Sequence, residues 1–177
     1  MAVAVMIAPR AVVTLGDSFL AGGRGRRSVA SRLAELLRGA EGALLPLDRS
    51  GGGLRGATDA AASLLASTVQ PHLVVVCLGW DDSPDSPAPT WWLPDAVALL
   101  DSCRAAVGSG SVVLVFAPVP ERCGARGRRW HRRMREDLAV VAKVPILDLS
   151  DGEEVTSKLP TPAQSAWIAE QVAALAG

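Results

Sequence analysis

The sequence predicts an α/β fold, a flavodoxin-like three-layer sandwich in which a five-stranded parallel sheet is covered by helices on both faces. Three observations carry that expectation. Short apolar runs, mostly β-branched, recur along the chain; segments with 3.6-residue periodicity fall between them; and the alternation continues to Ala176. At 177 residues, with 49% hydrophobic and 20% charged, the chain has the size and composition of one soluble domain over 1–177, and not of a disordered or fibrous polymer.

The first strand is expected at 11–15. The apolar opening before it contains Pro9 and Arg10 and has no basic n-region, so it does not read as a signal peptide. A helix follows at 28–38, where Leu33, Leu36 and Leu37 share a face, and then a short strand at 43–47. The glycine-rich stretch from Arg49 to Thr58 reads as a loop that opens into a helix over 57–68. A strand at 73–78 precedes the proline-rich segment from Ser83 to Trp92, which is too stiff for a helix and stands where functional lids occur. Helix 94–107, strand 111–116, helix 126–142, strand 144–149 and helix 161–176 complete the alternation. In helix 126–142 the inward face is expected to be Trp130, Met134, Leu138 and Val141, which leaves the arginines and His131 on outer, solvated faces.

Composition narrows the function classes. Eighteen basic residues balance eighteen acidic ones, and no groove-reading element is visible, so a nucleic-acid partner is not expected. Arg outnumbers Lys 16 to 2, a coding bias that lowers the weight of any one arginine run. Seven arginines still fall within 122–135, and the functional reading of that run is docking of an acidic carrier protein or a phosphate-bearing ligand. Cys77, Cys103 and Cys123 are too few and too irregular for a zinc site or a disulfide framework. No stretch reaches the length of about 20 apolar residues that a membrane span needs, and the expected setting is cytoplasmic. Neither a metal nor a nucleotide cofactor is expected: the glycine run lacks the Gly-Lys-Ser/Thr ending of a P-loop, and carboxylates without histidine give no metal geometry.

In parallel sheets ligands bind beyond the carboxyl ends of the strands, which makes the residues just after each strand informative. These are Gly16-Asp17-Ser18, the glycine loop with Arg55-Gly56-Ala57-Thr58, then Leu78-Gly79-Trp80-Asp81-Asp82, and the stretch from Ser150 to Thr161. Taken in this order over nearly the whole chain, the blocks resemble the SGNH/GDSL hydrolase family. The resemblance implies that Ser18 is the nucleophile and that its N–H and the Gly56 N–H are oxyanion donors. It also implies an Asn donor where this chain has Asp81, and an Asp and a His where it has Thr156 and Leu159.

Serine attack on a carbonyl needs a base, a group that orients the base, and oxyanion donors. This chain keeps the serine and two backbone donors and lacks the other three groups, while loss of a single oxyanion donor commonly costs about 10²–10³ in rate. Neither histidine replaces the base: His72 starts a strand at the far end of the sheet, and His131 lies within a helix. The expected function is therefore a repurposed small-molecule enzyme. A strained turn presents Ser18, and Asp17 and Asp81 do acid/base work such as dehydration, cyclisation or isomerisation of an apolar acyl or cyclic substrate. Gly79, Trp80, Asp82, Trp91 and Trp92 are expected to shape the pocket, the tryptophans as an aromatic wall. Two alternatives stay open: an esterase or acyltransferase using Ser18 with an unconventional base, and a non-catalytic binding module in which Asp17 ties loop amides and Asp81 is structural.

Overall fold

The computed structural model describes residues 10–22, 26–41, 43–81, 90–119, 123–149 and 160–177. Strands β1 (Arg10–Gly16), β2 (Leu45–Ser50), β3 (Gln70–Leu78), β4 (Ser111–Phe116) and β5 (Ile146–Asp148) form one parallel sheet in the order β2-β1-β3-β4-β5. The period of two in the sequence sorts the side chains. Val13, Leu15, Val74, Val76, Leu78, Leu114 and Phe116 enter one core, and Val12, Val75, Cys77, Val113 and Val115 enter the other. Because both faces of the three central strands are covered, their sequences read as apolar runs without a polar side.

Helices α2 (Gly53–Leu65), α3 (Trp92–Val107) and α4 (Ala125–Val141) fill the first face through Leu54, Ala57, Leu99, Leu100, Trp130 and Leu138. Helices α1 (Val29–Glu41) and α5 (Pro162–Ala176) pack together on the second through Val29, Leu33, Ile168 and Val172. The start of α5 has a local cause: Thr161 Oγ1 accepts the Gln164 N–H at 3.2 Å, Gln164 Oε1 accepts the Thr161 N–H at 2.9 Å, and Pro162 fills the first helical position.

The element types and their order agree with the sequence expectation, and the departures lie at element ends. The second strand is displaced to Leu45–Ser50, the last is shortened to Ile146–Asp148, and α2 begins at Gly53, four residues ahead of the expected 57. Gly52 is in the left-handed region at φ +79° and turns the chain straight into the helix, so the glycine run supplies the first turn of α2 rather than a separate loop. Strand order reverses between β1 and β3, which sets their carboxyl ends side by side at the switch point of the sheet.

Candidate active site

The end of β1 fits against the backbone of β3. Gly16 has φ +97°, and a Cβ there would stand 2.1 Å from the Cys77 carbonyl oxygen, so only glycine lets the two strand ends come together. Asp17 then donates its N–H to that same carbonyl at 2.9 Å. The left-handed residue of this turn is therefore Gly16; Asp17 is extended at φ −66°, ψ 147°, and the strain expected around Ser18 falls on a residue that tolerates it.

Asp17 is fully buried, and its carboxylate accepts the Trp80 N–H at 2.5 Å through Oδ2 and the Asp81 N–H at 3.1 Å through Oδ1. The sequence suggested a catalytic Asp17. Its enclosure and the commitment of both oxygens to the turn after β3 make it instead the clamp that holds Asp81 in place. Asp81 returns the bond. Its Oδ2 accepts the Ser18 N–H at 2.6 Å and its Oδ1 accepts Ser18 Oγ–H at 2.9 Å. The backbone donor that the family resemblance assigns to an oxyanion is thus occupied by a carboxylate of the chain itself.

Gly56 departs from the role that the family resemblance implies. Its N–H donates to the Gly52 carbonyl at 3.0 Å as part of α2, so it is no free oxyanion donor. Glycine stands there for a steric reason, since a Cβ would meet the Gly51 carbonyl oxygen at 2.3 Å. The amides of α2 that have no acceptor among the described residues are those of Gly53 and Arg55.

The three tryptophans have three roles. Trp80 is half-buried against Phe19, with centroids 5.3 Å apart, beside the site. Trp91 is 46% exposed and lines a groove of about 270 Å³ with Leu54, Arg55, Thr58, Asp59 and Asp95, at the starts of α2 and α3. Trp92, expected in the aromatic wall, is 3% exposed and meets Trp130 edge-on at 5.9 Å, which makes it an anchor of α3 in the core. Asp82, Thr156 and Leu159 lie outside the described residues.

His72 stands near the start of β3, away from the site, where the Arg10 guanidinium donates to its Nδ1. His131 departs from expectation. It is 1% exposed rather than solvated, and a Cβ on Gly79 would lie 3.6 Å from its Nδ1. Burial, with the Arg135 cation adding to it, lowers its pKa to about 4, so the ring is neutral. Arg135 is likewise turned inward at 9% exposure, with Nη1 3.3 Å from Asp148 Oδ1, whereas Arg126, Arg128, Arg129, Arg132 and Arg133 are exposed as expected. Sequence periodicity held the signal for both: Gly127, His131, Met134, Arg135 and Leu138 follow helical spacing along one buried face. Among the described residues no three His, Cys, Asp or Glu side chains are grouped to hold a metal, and no helix is long and apolar enough to cross a membrane.

No protein-family model and no curated protein sequence matches the chain. Solved structures do. A family two carbohydrate esterase from Clostridium thermocellum, in complex with cellohexaose, is 20% identical with a TM-score of 0.59; the match covers 98% of this chain and 65% of that one. The esterase AlinE4, of the SGNH-hydrolase family, is 17% identical with a TM-score of 0.62, covering 96% and 95%. A member of the lipolytic G-D-S-L family from Veillonella parvula is 14% identical with a TM-score of 0.61, covering 92% and 97%. At these identities the likeness is one of fold: the chain has the fold of the SGNH/GDSL hydrolases, and it spans about two thirds of the carbohydrate esterase.

Proposed function

We propose that this protein is a small-molecule enzyme on the SGNH-hydrolase fold in which Asp81 exchanges a proton with the substrate and Ser18 holds Asp81 in place. One observation carries the reading: both donors of Ser18 end on the two oxygens of a single carboxylate. Each carboxylate oxygen has a second lone pair, so Asp81 can accept a substrate proton while its plane stays fixed by the main chain. Ser18 Oγ, with its hydrogen directed at Asp81, has lone pairs left to orient a substrate hydroxyl or amide. An acyl-transfer intermediate would instead set its oxyanion at the Ser18 N–H, against the Asp81 carboxylate, where like charges repel. Dehydration, cyclisation or isomerisation of an apolar acyl or cyclic substrate suits such a site better than ester hydrolysis. The exposed arginines of α4, which leaves the same sheet edge as the site, suit an acidic carrier that delivers the substrate.

A second reading has its own support. Ser18 Oγ lies 2.9 Å from Asp81 Oδ1, within proton-transfer distance, so Asp81 can serve as the direct base of a nucleophilic Ser18, and the similar folds named above include esterases. Reaction with a fluorophosphonate, followed by intact-mass measurement, separates the two. The first reading expects no adduct on Ser18 and background hydrolysis of p-nitrophenyl acetate. It also expects turnover of a substrate found by screening to be abolished in Asp81→Asn and reduced less than about tenfold in Ser18→Ala, where the main-chain bond to Oδ2 survives. A stoichiometric Ser18 adduct that is lost in Asp81→Asn, with turnover abolished in Ser18→Ala, establishes the second.

A further inference from the structure

The turn that carries Asp81 faces α4. Gly79 is at φ +111°, and the side from which a side chain would project faces that helix: a Cβ would stand 3.6 Å from His131 Nδ1 and 3.6 Å from Met134 Cε. Two further contacts fix the His131 ring. Cys123 Sγ lies 3.8 Å from its Nε2, and Trp130 meets it edge-on with centroids 4.9 Å apart. Trp130 in turn meets Trp92, so ring contacts run from His131 through Trp130 to the first residue of α3, and His131 is the neighbour that faces Gly79 across the width of about one methyl group.

We propose that His131 is a positioning residue for Asp81, its buried ring being the surface on which the Gly79-Trp80-Asp81 turn is set so that the carboxylate meets Ser18. The catalytic consequence rests on the acid/base reading of Asp81; the placement does not. Gly79 has no side chain with which to lock itself and has the widest backbone freedom of any residue, so its position comes from its neighbours. On one side, Asp17 ties the Trp80 and Asp81 amides. On the other stand His131 and Met134. A hydrogen bond of 2.6 Å between Ser18 N–H and Asp81 Oδ2 tolerates little displacement of the turn, because such bonds weaken steeply with distance and angle.

The Ser18 amide reports directly on the placement of Asp81, and its proton resonance and its exchange with solvent can be read without any substrate. His131→Ala and Leu138→Ala each remove a fully or nearly fully buried side chain from the same face of α4, but only the first removes a side chain that faces Gly79. The expected result is that His131→Ala moves the Ser18 and Asp81 amide resonances and speeds Ser18 exchange by about tenfold or more, while Leu138→Ala, at a similar loss of melting temperature, leaves both in place. His131→Asn, which returns a polar atom near the position of Nδ1, recovers part of the shift, and it carries the same comparison if the alanine variant does not fold. Unmoved Ser18 and Asp81 resonances in the His131 variants, or equal movement in Leu138→Ala, overturn the proposal. Since no turnover enters the readout, failure of the acid/base assignment would leave this outcome unchanged.

Discussion

The neutral, buried His131 makes the stability of the fold depend on pH in a calculable way. In the unfolded chain the imidazole takes up a proton near pH 6.5; in the folded protein it does so only at about 4. Between those values the unfolded state binds more protons, so the free energy of unfolding rises with pH; it is fully present above pH 6.5 and is lost as pH falls towards 4. At 1.36 kcal/mol per pH unit the displacement corresponds to about 3 kcal/mol, a large part of the roughly 5–15 kcal/mol that holds a domain together. The perturbation is His131→Asn, which removes the titrating group and keeps a polar side chain. Urea unfolding followed by far-ultraviolet circular dichroism at pH 7.5, 6, 5 and 4 gives both stabilities. Carboxylates common to the two proteins cancel in the difference, so the advantage of the wild type over the variant should shrink by about 3 kcal/mol across that range. Parallel curves would refute the reasoning, and would mean that His131 reaches solvent or gains a partner for its proton.

Three further outcomes follow from the packing. Thr156→Asp with Leu159→His supplies the two residues that the family resemblance implies at those positions, but hydrolysis of p-nitrophenyl acetate should rise only when Asp81→Asn is added, by about 10² over the double variant, because Asp81 occupies both donors of Ser18; equal rates in the double and triple variants would contradict this. Gly56→Ala should lower the melting temperature, with a cost of about 1–3 kcal/mol from the 2.3 Å approach of the Gly51 carbonyl, although helix propensity alone argues for a gain of about 1 kcal/mol; the sign of the change decides. Trp92→Ala should cost about 3–5 kcal/mol in chemical denaturation, whereas Trp91→Ala should stay within about 0.5 kcal/mol and alter only ligand binding in the groove it lines; matching losses would show that both are anchors.

Sheet and helices were legible because burial on both faces leaves an unmistakable trace: Val74, Val75 and Val76 are all apolar since successive residues enter opposite cores. The meeting of the β1 and β3 ends was legible for a related reason, as Gly16 or Gly79 marks the end of each strand that flanks the switch point. What the sequence did not disclose depends on distances across the chain. Ser18 and Asp81 are 63 residues apart, and nothing local shows that both Ser18 donors end on that carboxylate. Gly56 was misassigned because a glycine run suggests a loop, while here three consecutive left-handed glycines turn the chain into α2 earlier than its first strong helix former. His131 was misassigned because its arginine neighbours outweighed its own spacing from Met134 and Leu138.

The hydrogen bonds between Asp17, the Trp80 and Asp81 amides, the Asp81 carboxylate and the Ser18 amide close a small ring across the ends of β1 and β3. A ring of this kind takes its shape when the chain folds, not when a ligand arrives. The loss of backbone and rotamer freedom at Ser18 and Asp81 then belongs to folding, and association with a ligand is spared that ordering entropy. A rigid cyclic ligand, which has little freedom of its own to lose, gains most from such a partner, whereas a long flexible acyl chain would still bear the cost of its own immobilisation.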